Sequence, residues 1–168
     1  SHKECDMLMF YHRNNVENFK DDSGWDPAGS LDAESNDYFS GKVIKFPQVD
    51  DPLIHNIMNI TRVKTIELIR KYFNIHFNEF LLPTESHLVK WEVGQDMNLH
   101  SDTSQKSDIF KSSAYEPGYG RRTPFHYTYS GIIYLNDDYK GGETIVDGDI
   151  IKPEQGKLVV WDSRTIHG

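Results

Sequence analysis

From Leu53 to Phe73, apolar residues recur every three to five positions, at Ile54, Ile57, Met58, Val63, Ile66, Ile69 and Phe73. That spacing predicts one amphipathic helix. Asp50 or Asp51 is placed to cap it, with Pro52 in the first turn, where a missing N–H costs nothing. Ahead of the helix, Val43 to Phe46 reads as a short strand stopped by Pro47. Residues 1 to 42 are polar, and Asp21 to Ser40 mixes Asp, Ser, Gly, Asn and Pro with isolated aromatics, the pattern of an irregular arm. Beyond Pro83 the period falls to two: His87, Val89, Trp91 and Val93 alternate with Leu88, Lys90 and Glu92, which predicts a strand. Residues 103 to 126 hold no period, and so long a stretch inside a domain reads as a functional lid or loop. Strands are predicted at Tyr127 to Leu135, Glu143 to Val146 and Leu158 to Trp161. Asn136 to Gly142 forms a turn between the first two, with Gly141 and Gly142 supplying a tight reversal between antiparallel strands. Asp147-Gly148 marks a hairpin, and Pro153 and Gly156 flank the turn before the last strand. A helix followed by strands predicts an α+β fold, mainly β, with helices on one face of an antiparallel double sheet. We expect a single domain over 1–168, in which 1–82 supply the arm and supporting helix and 83–168 the β core.

Composition narrows this picture. At 168 residues one hydrophobic core suffices, and 37% hydrophobic with 12% aromatic residues is enough to fill it. A formal charge of −8 repels polyanions, so nucleic acid is a poor partner and a basic or neutral polypeptide a better one. The single cysteine, Cys5, excludes an internal disulfide framework and a cysteine-rich zinc site, and fits a reducing compartment. The longest apolar runs, Ile132 to Leu135 and Leu158 to Trp161, are strand-sized, far below the ~18 residues of a membrane span. With no leader pattern at the start of the chain, the expectation is a soluble cytoplasmic protein without a membrane partner.

His100 and Asp102 are two positions apart, so on an extended backbone both side chains leave the same face and can meet at one ion. His167, just past the last predicted strand, is the natural third donor. Two imidazoles and a carboxylate form a facial triad that leaves three positions of an octahedral ion open, which suits iron(II) oxygenase chemistry; zinc normally takes a tetrahedral set. The alternative is a hydrogen-bonded surface pair with His167 at a frayed end. His2, His12, His55, His76, His87 and His126 show no ligand spacing and read as surface or satisfied core histidines. Lys106, Lys111, Arg121 and Arg122 form a basic stretch, either a solvated surface or part of a substrate lid, with Tyr115, Tyr119 and Tyr127 available to line a peptide groove.

Residues 88–168 resemble the iron(II)- and 2-oxoglutarate-dependent dioxygenases of the prolyl 4-hydroxylase-like group. The likeness is carried in order by Trp91-Glu92-Val93-Gly94, His100-Ser101-Asp102, Ile133-Tyr134-Leu135-Asn136-Asp137-Asp138, Gly141-Gly142-Glu143-Thr144, Lys152-Pro153 with Gly156, and His167-Gly168. It implies a double-stranded β-helix (jelly-roll, cupin-like) core and Fe(II) held by His100, Asp102 and His167. It also implies 2-oxoglutarate and O2 as cosubstrates, ascorbate as a reductant, and hydroxylation of a C–H bond, with proline in a peptide or protein as the leading substrate and a small molecule as another. Tyr134 matches the family tyrosine whose hydroxyl binds the far carboxylate of 2-oxoglutarate, and Ser130 a small hydroxyl position. Two family tyrosine positions hold Trp91 and Met97 here. Trp91 can wall the pocket and donate from its indole nitrogen but cannot supply a phenol. The family's Lys or Arg anchor falls about ten residues past the distal histidine, so we expect it, with the last barrel strands, beyond Gly168. Arg164, Lys157 and Arg122 are the substitutes within the sequence. The competing readings are a cupin-like metal-binding or interaction module without turnover, and a metal enzyme that uses the triad without 2-oxoglutarate.

Overall fold

The computed structural model describes residues 1–18, 43–76, 78–79, 81, 83, 86–91, 93–94, 97, 99–102 and 128–168. The expected arm at 21–40 and the lid stretch 103–126, with its lysines, arginines and tyrosines, lie outside them, as does Tyr127.

Helix α1 (His2–Asn15) is a difference from the sequence reading, which gave the first 42 residues no regular element. Its buried residues Cys5, Leu8, Tyr11 and His12 follow helical spacing, but the stripe is thin and interrupted by charge, so its periodicity is weak. The Ser1 hydroxyl donates to the Glu4 carboxylate at 2.9 Å across the first turn. Strand β1 (Val43–Lys45) follows and is stopped by a single 3-10 turn at Phe46–Gln48, where Pro47 sits. Helix α2 (Pro52–Tyr72) begins where expected: Asp51 is the N-cap, its carboxylate accepting from the N–H groups of Leu53 at 2.8 Å and Ile54 at 3.1 Å. Of the apolar positions read as its core face, Ile54, Ile57, Met58 and Ile69 are buried, whereas Val63 and Phe73 are exposed.

The core lies between the two helices and the β1–β2 ribbon. Leu8, Tyr11, Val16, Ile44, Val49, Ile54, Ile57, Met58 and Leu88 form one cluster, flanked by Met7, Phe46 and Leu135. The Tyr11 hydroxyl donates to Asp50 at 2.8 Å, pinning α1 to the start of α2. Strand β2 (His87–Val89) pairs antiparallel with β1, Ile44 opposite Leu88. It ends at Val89, although the alternation continues to Val93, which is fully exposed. Val93 and Gly94 form a turn, with Gly94 at positive φ (88°), which an extended strand does not accommodate.

The second half supplies β3 (Tyr129–Ile133), β4 (Thr144–Val146), β5 (Asp149–Ile151) and β6 (Leu158–Asp162). The β4–β5 hairpin turns on Asp147 and Gly148, both at positive φ (52° and 86°), as a two-residue turn matching strand twist requires. Gly141 and Gly142 also take positive φ, but they do not join a paired hairpin: β4 pairs with β5, and β3 with β6. The β3–β6 ladder sets Ser130 opposite Trp161, and the Phe73 ring packs on Tyr129 at 4.6 Å, tying α2 to this sheet. The described residues thus trace three two-stranded antiparallel sheets and two long helices. A closed double-stranded β-helix is not traced among them. No helix among them is long and apolar enough to cross a membrane.

Replacing Ile44, fully buried at the centre of the cluster, by Ala should lower the unfolding free energy by about 3 kcal/mol. Val63→Ala, on the open side of α2, should change it by less than about 0.5 kcal/mol. Urea denaturation of the two variants checks which side of the helix faces the core.

Candidate metal centre

Residues 163–168 run as a connecting strip between two other segments. On one side His100 and His167 exchange backbone hydrogen bonds, N to O in both directions at 2.8 Å, and the Asp102 N–H donates to the Ser163 carbonyl at 2.9 Å. On the other side Gly168 and Ile145 exchange a pair at 2.8 and 3.1 Å, and Asp147 donates to the Ile166 carbonyl at 2.9 Å. Residues directly opposite in an antiparallel pair project to the same face, and so do residues two apart on one strand. His100 lies opposite His167, and although the chain bends at Asp102, whose N–H bonds Ser163, the three side chains meet on one side.

Their donor atoms converge. Asp102 Oδ1 lies 3.5 Å from His100 Nε2 and 3.4 Å from His167 Nε2, and one ligand atom from each residue falls within 4.8 Å of the others. Donors on neighbouring positions of an ion with bonds near 2.1 Å stand about 3 to 3.5 Å apart, which the two distances from Asp102 match. The donor chemistry agrees. His167 Nδ1 lies 2.9 Å from the Thr165 carbonyl, which can only accept, so Nδ1 carries the proton. That leaves Nε2, the ring atom facing the Asp102 carboxylate, as the ligand position of His167. Burial pushes the Asp102 carboxyl pKa up, but hydrogen bonds with His100, His167 and Ser130 together outweigh it and hold the group well below the ordinary carboxylate range. The carboxylate is thus charged wherever the protein is folded near neutral pH.

His167 is buried at 5% exposure, its ring 4.4 Å from that of His100 and 4.7 Å from Trp161. His100 is the more accessible imidazole, at 34% side-chain exposure, so the centre opens on its side. Trp161 is buried, and among the described residues its indole Nε1 has no hydrogen-bond partner.

No protein-family model, curated protein or solved structure matches this chain.

The other expected site residues are placed as follows. Tyr134 is buried, its hydroxyl donating to Thr144 Oγ1 at 2.6 Å, with the Ile151 carbonyl at 3.5 Å. That bond sets it against β4, the strand whose Val146 bridges to His167. Ser130 joins the triad: its hydroxyl donates to Asp102 Oδ2, which makes it a partner of the carboxylate. Trp91 is 41% exposed. Of the basic substitutes, Arg164 is held by the Asp162 carboxylate with its side chain 80% exposed, Lys157 reaches the Lys152 carbonyl at 3.0 Å and Glu154 at 3.4 Å, and Arg122 lies outside the described residues. Sequence reasoning missed Ser163, which is fully buried with its hydroxyl 2.7 Å from Ser130 Oγ. No local signal marked it, since its role depends on the pairing that sets β3 against β6 and Thr128 against Ser163.

Removing a ligand should cost more than the ~10–100-fold in metal affinity that loss of a supporting partner costs. Calorimetric titration with Co(II) should show His167→Ala and Asp102→Ala weakened by more than about 100-fold. His2→Ala, on the exposed start of α1, should titrate as wild type.

Proposed function

We propose that the chain is an Fe(II)- and 2-oxoglutarate-dependent oxygenase that hydroxylates a C–H bond, with a prolyl residue in a peptide or protein as the leading substrate. The observation that carries it is the meeting of two imidazoles and one carboxylate, from segments far apart in sequence, on one face and at ligand spacing. His100, Asp102 and His167 would hold the ion. When bound, iron(II) supplies the redox chemistry by which O2 and 2-oxoglutarate are converted to succinate and carbon dioxide while a substrate carbon gains a hydroxyl. The protein's own work is positioning. Asp102 offsets part of the metal charge with a carboxylate kept ionised, the Thr165 carbonyl fixes the tautomer of His167, and the Trp161 ring shields that ligand from water. Because the triad supplies three donors on one side, the other positions stay available for a chelating keto acid and O2.

Three further features support this reading or accompany it. The motif series from Trp91 to Gly168 has the order and spacing of the prolyl 4-hydroxylase-like group, which also suggests a jelly-roll core and ascorbate as the reductant. A net charge of −8 favours a neutral or basic polypeptide over nucleic acid. The buried free thiol of Cys5 is compatible with a reducing, cytoplasmic setting.

A second reading, a cupin-like module that binds metal without turnover, is favoured by one observation: Arg164 and Lys157 are both engaged by other groups and do not offer themselves to a dicarboxylate. Anaerobic addition of Fe(II) and then 2-oxoglutarate separates the two. The oxygenase reading expects a weak visible charge-transfer band, absent in Asp102→Ala, and succinate release on admitting air. Tight Fe(II) binding with neither band nor succinate would establish the module instead.

A further inference from the structure

Oδ1 and Oδ2 of Asp102 have separate surroundings. Oδ1 faces both imidazole Nε2 atoms, and Oδ2 accepts the Ser130 hydroxyl. Beyond Ser130, the Ser163 hydroxyl lies 2.7 Å away. The protons can be arranged in only one way. A carboxylate only accepts, so Ser130 spends its single proton on Oδ2; its oxygen must then accept from Ser163. Ser163 grips Asp102 a second time through the backbone, since its carbonyl takes the Asp102 N–H at 2.9 Å, and its own N–H is anchored to the Thr128 carbonyl at 3.1 Å. Ser163 is fully buried, closed to bulk solvent. Both the main chain and the carboxylate plane of Asp102 are therefore fixed by the same residue, once directly and once through Ser130.

We propose, resting on the metal-centre reading above, that Ser130 and Ser163 are positioning residues that keep Asp102 a one-oxygen ligand and so set the number of free positions on the ion. A carboxylate can bind through one oxygen or both. With both, the triad fills four of six positions and leaves two, too few for a two-point chelator and O2 together. With Oδ2 held by the serine relay, three remain. The relay thus determines whether the same three side chains make an open or a partly blocked centre.

Mn(II) is the probe, read by water-proton relaxation, which reports the waters on the bound ion, with affinity followed in the same titration. Wild type should show Mn(II) carrying about three exchangeable waters. Ser130→Ala should still bind Mn(II), within about tenfold of wild-type affinity, and lose about one third of the bound-ion relaxation as Oδ2 swings onto the metal. Ser163→Ala should shift the same way by a smaller amount, and Ser130→Thr, which keeps the hydroxyl, should restore the wild-type value. Mn(II) bound by Ser130→Ala with three waters retained would overturn the proposal and leave the metal centre standing. Failure of the wild type to bind Mn(II) would overturn both.

Discussion

The pair of backbone hydrogen bonds exchanged between His100 and His167 is the constraint from which the candidate centre follows. It joins residues distant along the chain, and its register decides which face each side chain takes. Since side chains on a strand alternate, a slip of one residue would turn His167 to the opposite face and part it from Asp102. The strip is held against such slippage from both sides, by Asp102 to Ser163 on one edge and by the Gly168–Ile145 and Asp147–Ile166 contacts on the other. The Thr128–Ser163 bond continues the β3–β6 ladder, which joins the strip to the sheet that carries Ser130.

On that frame the electrostatics are consistent. Bringing a carboxylate into a partly buried site is costly unless its lone pairs are answered. Ser130 answers one oxygen, and the two imidazoles face the other. The Thr165 carbonyl accepts from His167 Nδ1, which leaves Nε2 of that ring facing Asp102 Oδ1.

The parts legible in the sequence were those governed by neighbours along the chain. Asp51 with Pro52 announced the start of α2, Asp147-Gly148 the β4–β5 turn, and the two-residue spacing of His100 and Asp102 their common face. The burial of α1 was harder to read, because only Cys5, Leu8, Tyr11 and His12 face inward on an otherwise polar helix. Pattern also overstated β2: Trp91 and Val93 continue the alternation, yet the chain turns at Val93 and Gly94, the glycine at positive φ (88°). Long-range arrangements were legible least. That Gly141-Gly142 would not close a paired hairpin, and that Ser163 would support Asp102, depend on which strands meet, and local spacing does not encode this.

Anomalous diffraction at the iron edge from anaerobic crystals loaded with Fe(II) tests the central claim most directly. The account predicts one strong peak within bonding distance of His100 Nε2, Asp102 Oδ1 and His167 Nε2. A peak elsewhere, or none at these three atoms in crystals that contain iron, would contradict it.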